Sequence, residues 1–415
     1  MVEVPAALAL ILEQIGSPQD RPKAKIPTAQ ALGLILAEAV CAPEPLPPFP
    51  ASVVDGYAVV AEDGPGEYTV EGIVSAGAAG APPLRRGTVV QITTGSPVPE
   101  GADAVVMVED TDFLRRDSEG KETIRINKAA RPGQFVRRVG SDIASGMVLL
   151  SPGDVLGPSE VGLLATAGAV EVVVYCPPVV AVLSTGDELV EPGETPKYGQ
   201  IRDSNRSMLI AALKGLGFVE KVVDLGIGVD NREALQETIL KALQEADVLI
   251  TSGGVSMGEF DLLKPILEAT GKIHFGRILM KPGKPFTFAT LEVKERKRMV
   301  FGLPGNPVSS IVTFQILVVP ALRRMSGWKE PQHPIITVKT ANPLKLDPER
   351  PEYHRATTTW NNKESCFLAE TTGIQESSRL LSMKSANTLL LLPQQAGTLP
   401  VGSFVQAYLI GPIKN

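Results

Sequence analysis

From Val179 onward the chain alternates. The apolar runs VVAVLSTG, VEKVVDLGI, DVLITSGG, KIHFGRIL and MVFGLPG are separated by stretches of helical spacing, and this alternation predicts a mainly parallel sheet with helices on both faces. In SNRSMLIAALKGLGF, Leu209, Leu213 and Leu216 fall at i, i+4 and i+7 and Gly217 supplies a stop. In DNREALQETILKALQEA, Leu235, Ile239 and Leu243 repeat the stripe. Ligands of such sheets collect beyond the carboxyl ends of the strands, so the turns leaving those ends are where chemistry belongs.

The rest of the chain is differently built. The first half is rich in glycine and proline, with short β-branched runs such as YTVEGIV, GTVVQITTG and ADAVVMVED between turn clusters, which predicts β-rich modules. A helix beginning near Val308 runs to about Met325. The glycine and prolines of SGWKEPQHP then mark a boundary near residues 326–334, and IITVKTA, TLLLLPQ and SFVQAYLI follow as strands of a small β module.

Composition narrows the function. The 415 residues are enough for two to four domains, and 44% hydrophobic with 21% charged residues fits a core-forming protein. A net charge of −6 without a long basic run disfavours non-specific binding to nucleic acid or anionic membrane, so any anion site is local. Cys41, Cys176 and Cys366 lie far apart without C-x-x-C spacing, which fits a reducing compartment. The opening MVEVPAALALILEQIG reads as a buried helix of a cytoplasmic protein, since it carries Glu3 and lacks a basic leader. No run approaches the length of a membrane span. His274, His333 and His354 form no paired motif, which argues against a histidine metal site.

Four turn motifs fall on the predicted ligand edge: STGDEL, TSGGVSMGEFD, KPGKP and GLPGNPVSS. Gly253 and Gly254 lack side chains that would keep backbone N–H groups from an anion or a planar heterocycle. Asn306 is placed to cap a helix with Pro307 as its first residue, which puts Ser309 in the first turn. Pro282 and Pro285 exclude Lys281 and Lys284 from a helix, and Gly283 lets both amines converge on one anion. Neither a Walker A loop nor a G-x-G-x-x-G fingerprint is present. Each carboxylate also has a structural reading: Asp230 as a cap with Glu233, Asp261 as the cap of a short helix, Asp187 and Glu188 as turn residues. Gathered at one sheet edge beside glycine loops and fixed lysines, carboxylates suit Mg²⁺ and phosphate oxygens.

At full length the motifs resemble one family. PPFPASVVDGYAV, TTGSPVPEGADAVV, RPGQFVRRVGSDI, STGDELV, IRDSNRSML, TSGGVSMGE, MKPGKPFTFA, GLPGNPVS, RPEYHRA and SSRLLSMKSAN occur in the order found in molybdenum insertases: bacterial MoeA, the plant molybdopterin insertase domain and the gephyrin E domain. The resemblance covers about Leu46 to Leu392 and is nearest the eukaryotic members. It implies a multi-domain α/β plus β fold in four parts. These are an elongated segment at 1–56 and 136–175, a β-rich insertion at 57–135, a three-layer molybdopterin-binding α/β domain at 176–330 and a C-terminal β-barrel at 331–415. It further implies a cytoplasmic homodimer, the substrates adenylylated molybdopterin and molybdate, Mg²⁺ as cofactor, and a companion molybdopterin adenylyltransferase domain or protein. The implied reaction cleaves the phosphoanhydride, inserts molybdate into the dithiolene and releases AMP with the finished cofactor.

Carried over by motif, Asp230 and Asp261 match carboxylates of metal-assisted hydrolysis and Ser256 a serine of the same loop; Asp187 and Glu188 are further candidate metal ligands. Lys281, Lys284, Ser309, Arg350 and Ser377 match positions around molybdate, beside Gly253, Gly254 and Pro285. Two amines and a guanidinium neutralise a tetrahedral dianion while hydroxyls donate to its oxygens. Asp55 and Asp142 match acidic residues near the cleft, although Asp55 also reads as part of an Asp-Gly turn. Val54, Phe260 and Glu376 depart from the family pattern, and an added carboxylate at Glu376 either weakens oxyanion affinity or points into solvent. Two other functions compete: a gephyrin-like scaffold that binds receptor loops at the dimer edge, and an enzyme for another oxyanion such as tungstate or sulfate.

Overall fold

The computed structural model describes residues 1–77, 83–228, 231–254 and 262–413. Two compact units emerge: Met1–Glu38 with Pro152–Val161 and Glu171–Asn415, and Ala39–Ser151 with Gly162–Val170.

The larger unit is organised by a seven-stranded sheet: β1 Val2–Glu3, β2 Val179–Thr185, β3 Lys221–Gly228, β4 Val248–Ser252, β5 Gly271–Leu279, β6 Pro285–Val293 and β7 Arg296–Leu303, in the order β1-β5-β6-β7-β4-β2-β3. Strands β3, β2, β4 and β7 pair in parallel, as the alternation predicts. Strands β5, β6 and β7 are antiparallel neighbours, because the turns between them are too short for a crossover. The alternation alone did not mark β6 as a strand. Its turn to β7 puts Lys294 and Glu295 both at positive φ, 50° and 59°, which suits the twist of a two-residue hairpin.

Side chains alternate across this sheet, and the two faces bury different helices. Val180, Val182, Val248 and Ile250 pack with α1 (Val4–Ile15), α2 (Ser204–Gly215) and the long helix α5 (Pro307–Met325). Ala181, Leu183 and Leu249 pack with α3 (Arg232–Glu245) through Leu235, Ile239 and Leu243, and with α4 (Leu263–Thr270). Leu209, Leu213, Leu235, Ile239 and Leu243 of the stripes read from the sequence are therefore buried, while Leu216, at the C-cap of α2, is partly buried against the same core. Helix α5 loosens into a π turn at Phe314–Val318, just before Pro320, whose missing N–H and bulky ring interrupt the regular ladder. Among the described residues α5 is also long and apolar enough to cross a membrane, but 83% of its apolar window is buried, which makes it a core helix.

After α5 the chain closes a five-stranded barrel from β8 Ile335–Thr340, β9 Glu352–Asn361, β10 Cys366–Thr371, β11 Thr388–Leu392 and β12 Phe404–Leu409, ordered β8-β10-β9-β11-β12. Closure removes the sheet edges, and Val338, Ala356, Leu390 and Ala407 fill the interior.

The smaller unit holds a six-stranded sheet with Gly56–Val59 between Ala104–Met107 and Thr88–Ile92. Gly56 opens that strand because a Cβ there would lie 1.9 Å from Val106 O. The Asp-Gly pair is thus a strand entry, and Asp55 Oδ1 accepts hydrogen bonds from Thr94 N at 2.6 Å and Thr94 Oγ1 at 3.0 Å. Asp142 pairs with Arg137 at 3.3 Å.

Candidate active site

The carboxyl ends of β2, β3, β4 and β7 open into a cavity of about 940 Å³, large enough for a nucleotide-sized ligand. Asp187, Glu188, Gly253, Gly254, Pro285 and Ser309 all line it, so six of the residues singled out from the sequence meet in one place. Asp230, Ser256 and Asp261, together with Phe260, lie outside the described residues.

Backbone sterics build this cavity. Gly253 has φ +86° and a Cβ there would sit 2.3 Å from Thr185 O; Gly254 has φ +66° and its Cβ would meet Thr185 Oγ1 at 2.7 Å. Only glycine suits both the left-handed conformation and the close approach of β2. The N–H of Gly253 donates to Leu303 O at 3.1 Å, so it is not offered to a ligand as its motif suggests. Gly254 also lines the cavity, and its N–H makes no backbone hydrogen bond to the described residues.

Asn306 and Pro307 take the N-cap and first-turn positions of α5, but the Asn306 side chain makes no capping bond and lines the cavity. Helix α3 is capped by Asn231, whose Oδ1 accepts from Ala234 N at 2.9 Å. The sequence did not single out Asn205. Its Nδ2 donates to Ser252 Oγ and to Gly305 O, both at 2.7 Å, and so ties α2 to the ends of β4 and β7; its Oδ1 is buried at the cavity wall without a partner among the described residues. Beside it Arg206 gathers Asp203, Asp224 and Glu191. Burial works against that charge, yet bonds to Asp224, Asp203 and Glu191 outweigh it and hold the guanidinium above its ordinary pKa. The cluster fixes the N-terminus of α2, where Asp203 caps Arg206 N at 3.1 Å.

The two lysines of KPGKP have different surroundings. Gly283 has φ +113°, and a Cβ there would meet Thr313 Cγ2 of α5 at 2.5 Å, so the turn lies tight against the helix. Lys281 is stitched to the barrel: its N donates to Pro351 O at 2.9 Å and its O accepts from Tyr353 N at 2.8 Å. Its ammonium lies 3.0 Å from Glu352 and 3.3 Å from Asp347. Arg350 Nη2 lies 3.9 Å from the same Asp347, so Lys281 and Arg350 are brought together by a shared carboxylate. Lys284 is exposed and makes no ion pair with the described residues.

Lys281, Asp347, Glu352 and His354 line a second cavity of about 470 Å³ on the barrel side. Glu352 Oε1 pairs with His354 Nδ1 at 3.0 Å, and His354 Nε2 with Thr371 Oγ1 at 2.7 Å. Arg355, next along β9, is fully buried: Nε donates to Ser382 Oγ at 3.3 Å and Nη2 to Glu376 O at 3.2 Å. It holds the segment that carries Ser377, whose O accepts from Val308 N at 3.0 Å, and Ser378, which lines the first cavity. The Glu376 carboxylate is exposed.

Among the described residues no group of three His, Cys, Asp or Glu is placed to hold a metal. Asp187 and Glu188 bring two carboxylates to the strand-end cavity, with the Glu188 oxygens folded over Gly186. Oxygen-only donors in that number suit Mg²⁺, which takes one or two carboxylates and completes its shell with water and phosphate.

Comparison with known proteins covers nearly the whole chain. The families described as MoeA N-terminal region (domain I and II), probable molybdopterin binding domain and MoeA C-terminal region (domain IV) match residues 2–168, 181–324 and 337–410. The chain is similar to gephyrin of Dictyostelium discoideum, with 42% identity across 100% of this chain and 63% of that protein's length. It is similar also to the molybdopterin molybdenumtransferase of Haemophilus influenzae, with 36% identity across 98% of each. A crystal structure of a molybdopterin biosynthesis MoeA protein from Pyrococcus horikosii superposes with a TM-score of 0.81 at 32% identity, covering 99% of this chain and 100% of that one.

Proposed function

This chain belongs to the MoeA and gephyrin E-domain family of molybdopterin molybdenumtransferases, and on that premise we propose that it cleaves adenylylated molybdopterin and inserts molybdate into the dithiolene, releasing AMP and the finished cofactor. One observation carries the reading: Asp187, Glu188, Gly253, Gly254, Pro285 and Ser309 converge on a cavity of about 940 Å³ at the strand ends. A space of that size holds a pterin joined to a nucleotide.

In this reading the amide of Gly254 and the open face of the glycine turn bind the phosphate linkage and the flat rings. Asp187 and Glu188, with Asp230 and Asp261, would hold Mg²⁺. That ion supplies charge neutralisation on the phosphoanhydride oxygens. Ser256, matched by motif to a serine of the same hydrolytic loop in the family, would act with these carboxylates. Lys281, Lys284 and Arg350 attract molybdate, and the hydroxyls of Ser309 and Ser377 donate to its oxygens. Pre-positioned cations also stabilise the oxyanions that develop at phosphorus or molybdenum. The four-part division at 1–56 with 136–175, 57–135, 176–330 and 331–415 is the proposed functional anatomy. The working form is a cytoplasmic homodimer supplied by a molybdopterin adenylyltransferase.

The test is direct. The purified chain, given adenylylated molybdopterin, molybdate and Mg²⁺, releases AMP and yields a cofactor that activates a molybdenum-dependent apoenzyme. Asp261→Asn suppresses AMP release and leaves pterin binding intact. Absence of both products from the unmodified chain would overturn the assignment, and unchanged turnover in the variant would remove Asp261 from the mechanism.

A further inference from the structure

Lys281 and Arg350 bring cations suited to an oxyanion, and the folded chain adds anions to the same spot. Lys281 Nζ lies 3.0 Å from Glu352 Oε2 and 3.3 Å from Asp347 Oδ2, and Arg350 Nη2 lies 3.9 Å from that Asp347 oxygen. Two cations and two carboxylates make a quartet with no net charge. A dianion entering it gains Lys281 only as a carboxylate lets go, and it is repelled by whichever carboxylate stays.

The two carboxylates are not equally free to yield. The Glu352 side chain is 4% exposed, and its second oxygen is engaged by His354, which is held in turn by Thr371. Asp347 sits at the rim with 14% of its side chain exposed. Its Oδ1 accepts from Glu349 N at 2.8 Å and Arg350 N at 3.1 Å and so shapes the turn, while Oδ2 alone faces the cations. Burial opposes the charges of Lys281 and of both carboxylates, but their bonds outweigh it: Glu352 and Asp347 raise the pKa of Lys281, the Glu349 N–H followed by Lys281 lowers that of Asp347, and His354 followed by Lys281 lowers that of Glu352.

We propose that Asp347 is an affinity-setting competitor: its Oδ2 occupies Lys281 and Arg350 in the empty site, gives way when a tetrahedral oxo-dianion arrives, and returns as that anion moves on. The inference rests on the reading of Lys281 and Arg350 as oxyanion ligands. It explains why a site for a dianion carries a rim carboxylate at all. The carboxylate keeps two flexible cationic side chains in place before binding, and it prevents the substrate from being held too tightly to be transferred.

The test compares the unmodified chain, Asp347→Asn, Asp347→Ser and Lys281→Met by calorimetric titration with sodium molybdate at fixed ionic strength. Asn keeps the Oδ1 acceptor that shapes the turn and removes only the competing charge; Ser keeps a shorter acceptor and checks that the result does not depend on the amide. Both Asp347 variants are expected to bind molybdate about five- to tenfold more tightly, with slower release in stopped-flow displacement. Lys281→Met is expected to bind more weakly. If Lys281→Met weakens binding while both Asp347 variants bind as the unmodified chain does, or more weakly, Asp347 merely orients its partners; the competitor role falls and the oxyanion site stands. If Lys281→Met binds molybdate unchanged, the oxyanion lies elsewhere and both readings fall.

Discussion

The strand-end cavity and the barrel-side cavity are held open by different physics. The first is shaped by backbone: glycines at positive φ, a proline where a strand begins, and an asparagine bridging two strand ends. The second is shaped by charge, with Lys281, Asp347, Glu352 and His354 each fixed by another. A backbone-built site tolerates changes of charge and fails when a Cβ is added. A charge-built site tolerates added volume at its rim and fails when pH or a single substitution unbalances it.

The largest effect expected from this contrast is at Gly253. Gly253→Ala forces a left-handed alanine whose Cβ would lie 2.3 Å from Thr185 O, a backbone atom that cannot move without displacing β2. A destabilisation of about 3 kcal/mol is expected, read as a lower denaturant midpoint. Gly254→Ala, which meets only the Thr185 hydroxyl at 2.7 Å, loses less. Equal effects of the two substitutions would mean that side-chain packing rather than backbone contact sets this wall.

Next in size is Arg355. Its guanidinium is wholly buried, burial pushes its pKa down to about 10, and Nη1 has no partner among the described residues. Arg355→Lys keeps the charge but replaces a planar fork by a point donor, which cannot reach Ser382 Oγ and Glu376 O together. A loss of about 2 kcal/mol is expected in chemical denaturation, with faster hydrogen exchange in residues 376–382. If exchange there is unchanged, the guanidinium is not what holds the serine segment.

How much of this was legible beforehand follows the same division. Gly253 and Gly254 stand out in any reading because only a backbone demand explains paired glycines after an apolar run. Ser309 is visible because Pro307 marks a helix start. The antiparallel turn from β6 to β7 was hidden because Lys294 and Glu295 are not the glycine or asparagine that such a hairpin usually carries. Asp347 and Glu352 were invisible as partners of Lys281, since the turn and the barrel strand that bring them are remote in sequence and opposite charges carry no spacing rule across domains. Asn205 gave no signal either: a polar residue in the first turn of a helix reads as solvent-facing until β4 and β7 close over it.

A smaller effect separates the cavities by pH. Glu352 and Asp347 have lowered pKa values in the fold, against ordinary values of 4.5 and 3.8. Their contribution is present above those ordinary values and is lost as pH falls through the lowered ones. Lys281 is raised from 10.5, so its contribution is present below 10.5 and is lost as pH rises through the raised value. The quartet is therefore intact between the carboxylate and ammonium ranges. With screening at the one-third-exposed ammonium, about 1 kcal/mol of stability should disappear below that window. Unfolding midpoints measured from pH 3 to 7 on the unmodified chain and on Glu352→Gln with Lys281→Met should differ in slope only at the acid end. Parallel curves would show that the quartet is not titrating.

The smallest expected effect on stability is at Asn306, and it is the most discriminating. An asparagine at an N-cap position ordinarily supports its helix by about 1 kcal/mol, through a side-chain oxygen that accepts a first-turn N–H. Here Asn306 occupies that position without making that bond, the first-turn N–H of Val308 is already taken by Ser377 O at 3.0 Å, and Asn306 lines the strand-end cavity. Asn306→Ala should thus change stability by less than about 0.5 kcal/mol while weakening pterin-nucleotide binding several-fold, the price of one lost neutral hydrogen bond. The two measurements pull apart the two roles that one residue type can play at one position. A full capping loss with unchanged ligand affinity would return Asn306 to the helix and take one polar group out of the backbone-built site.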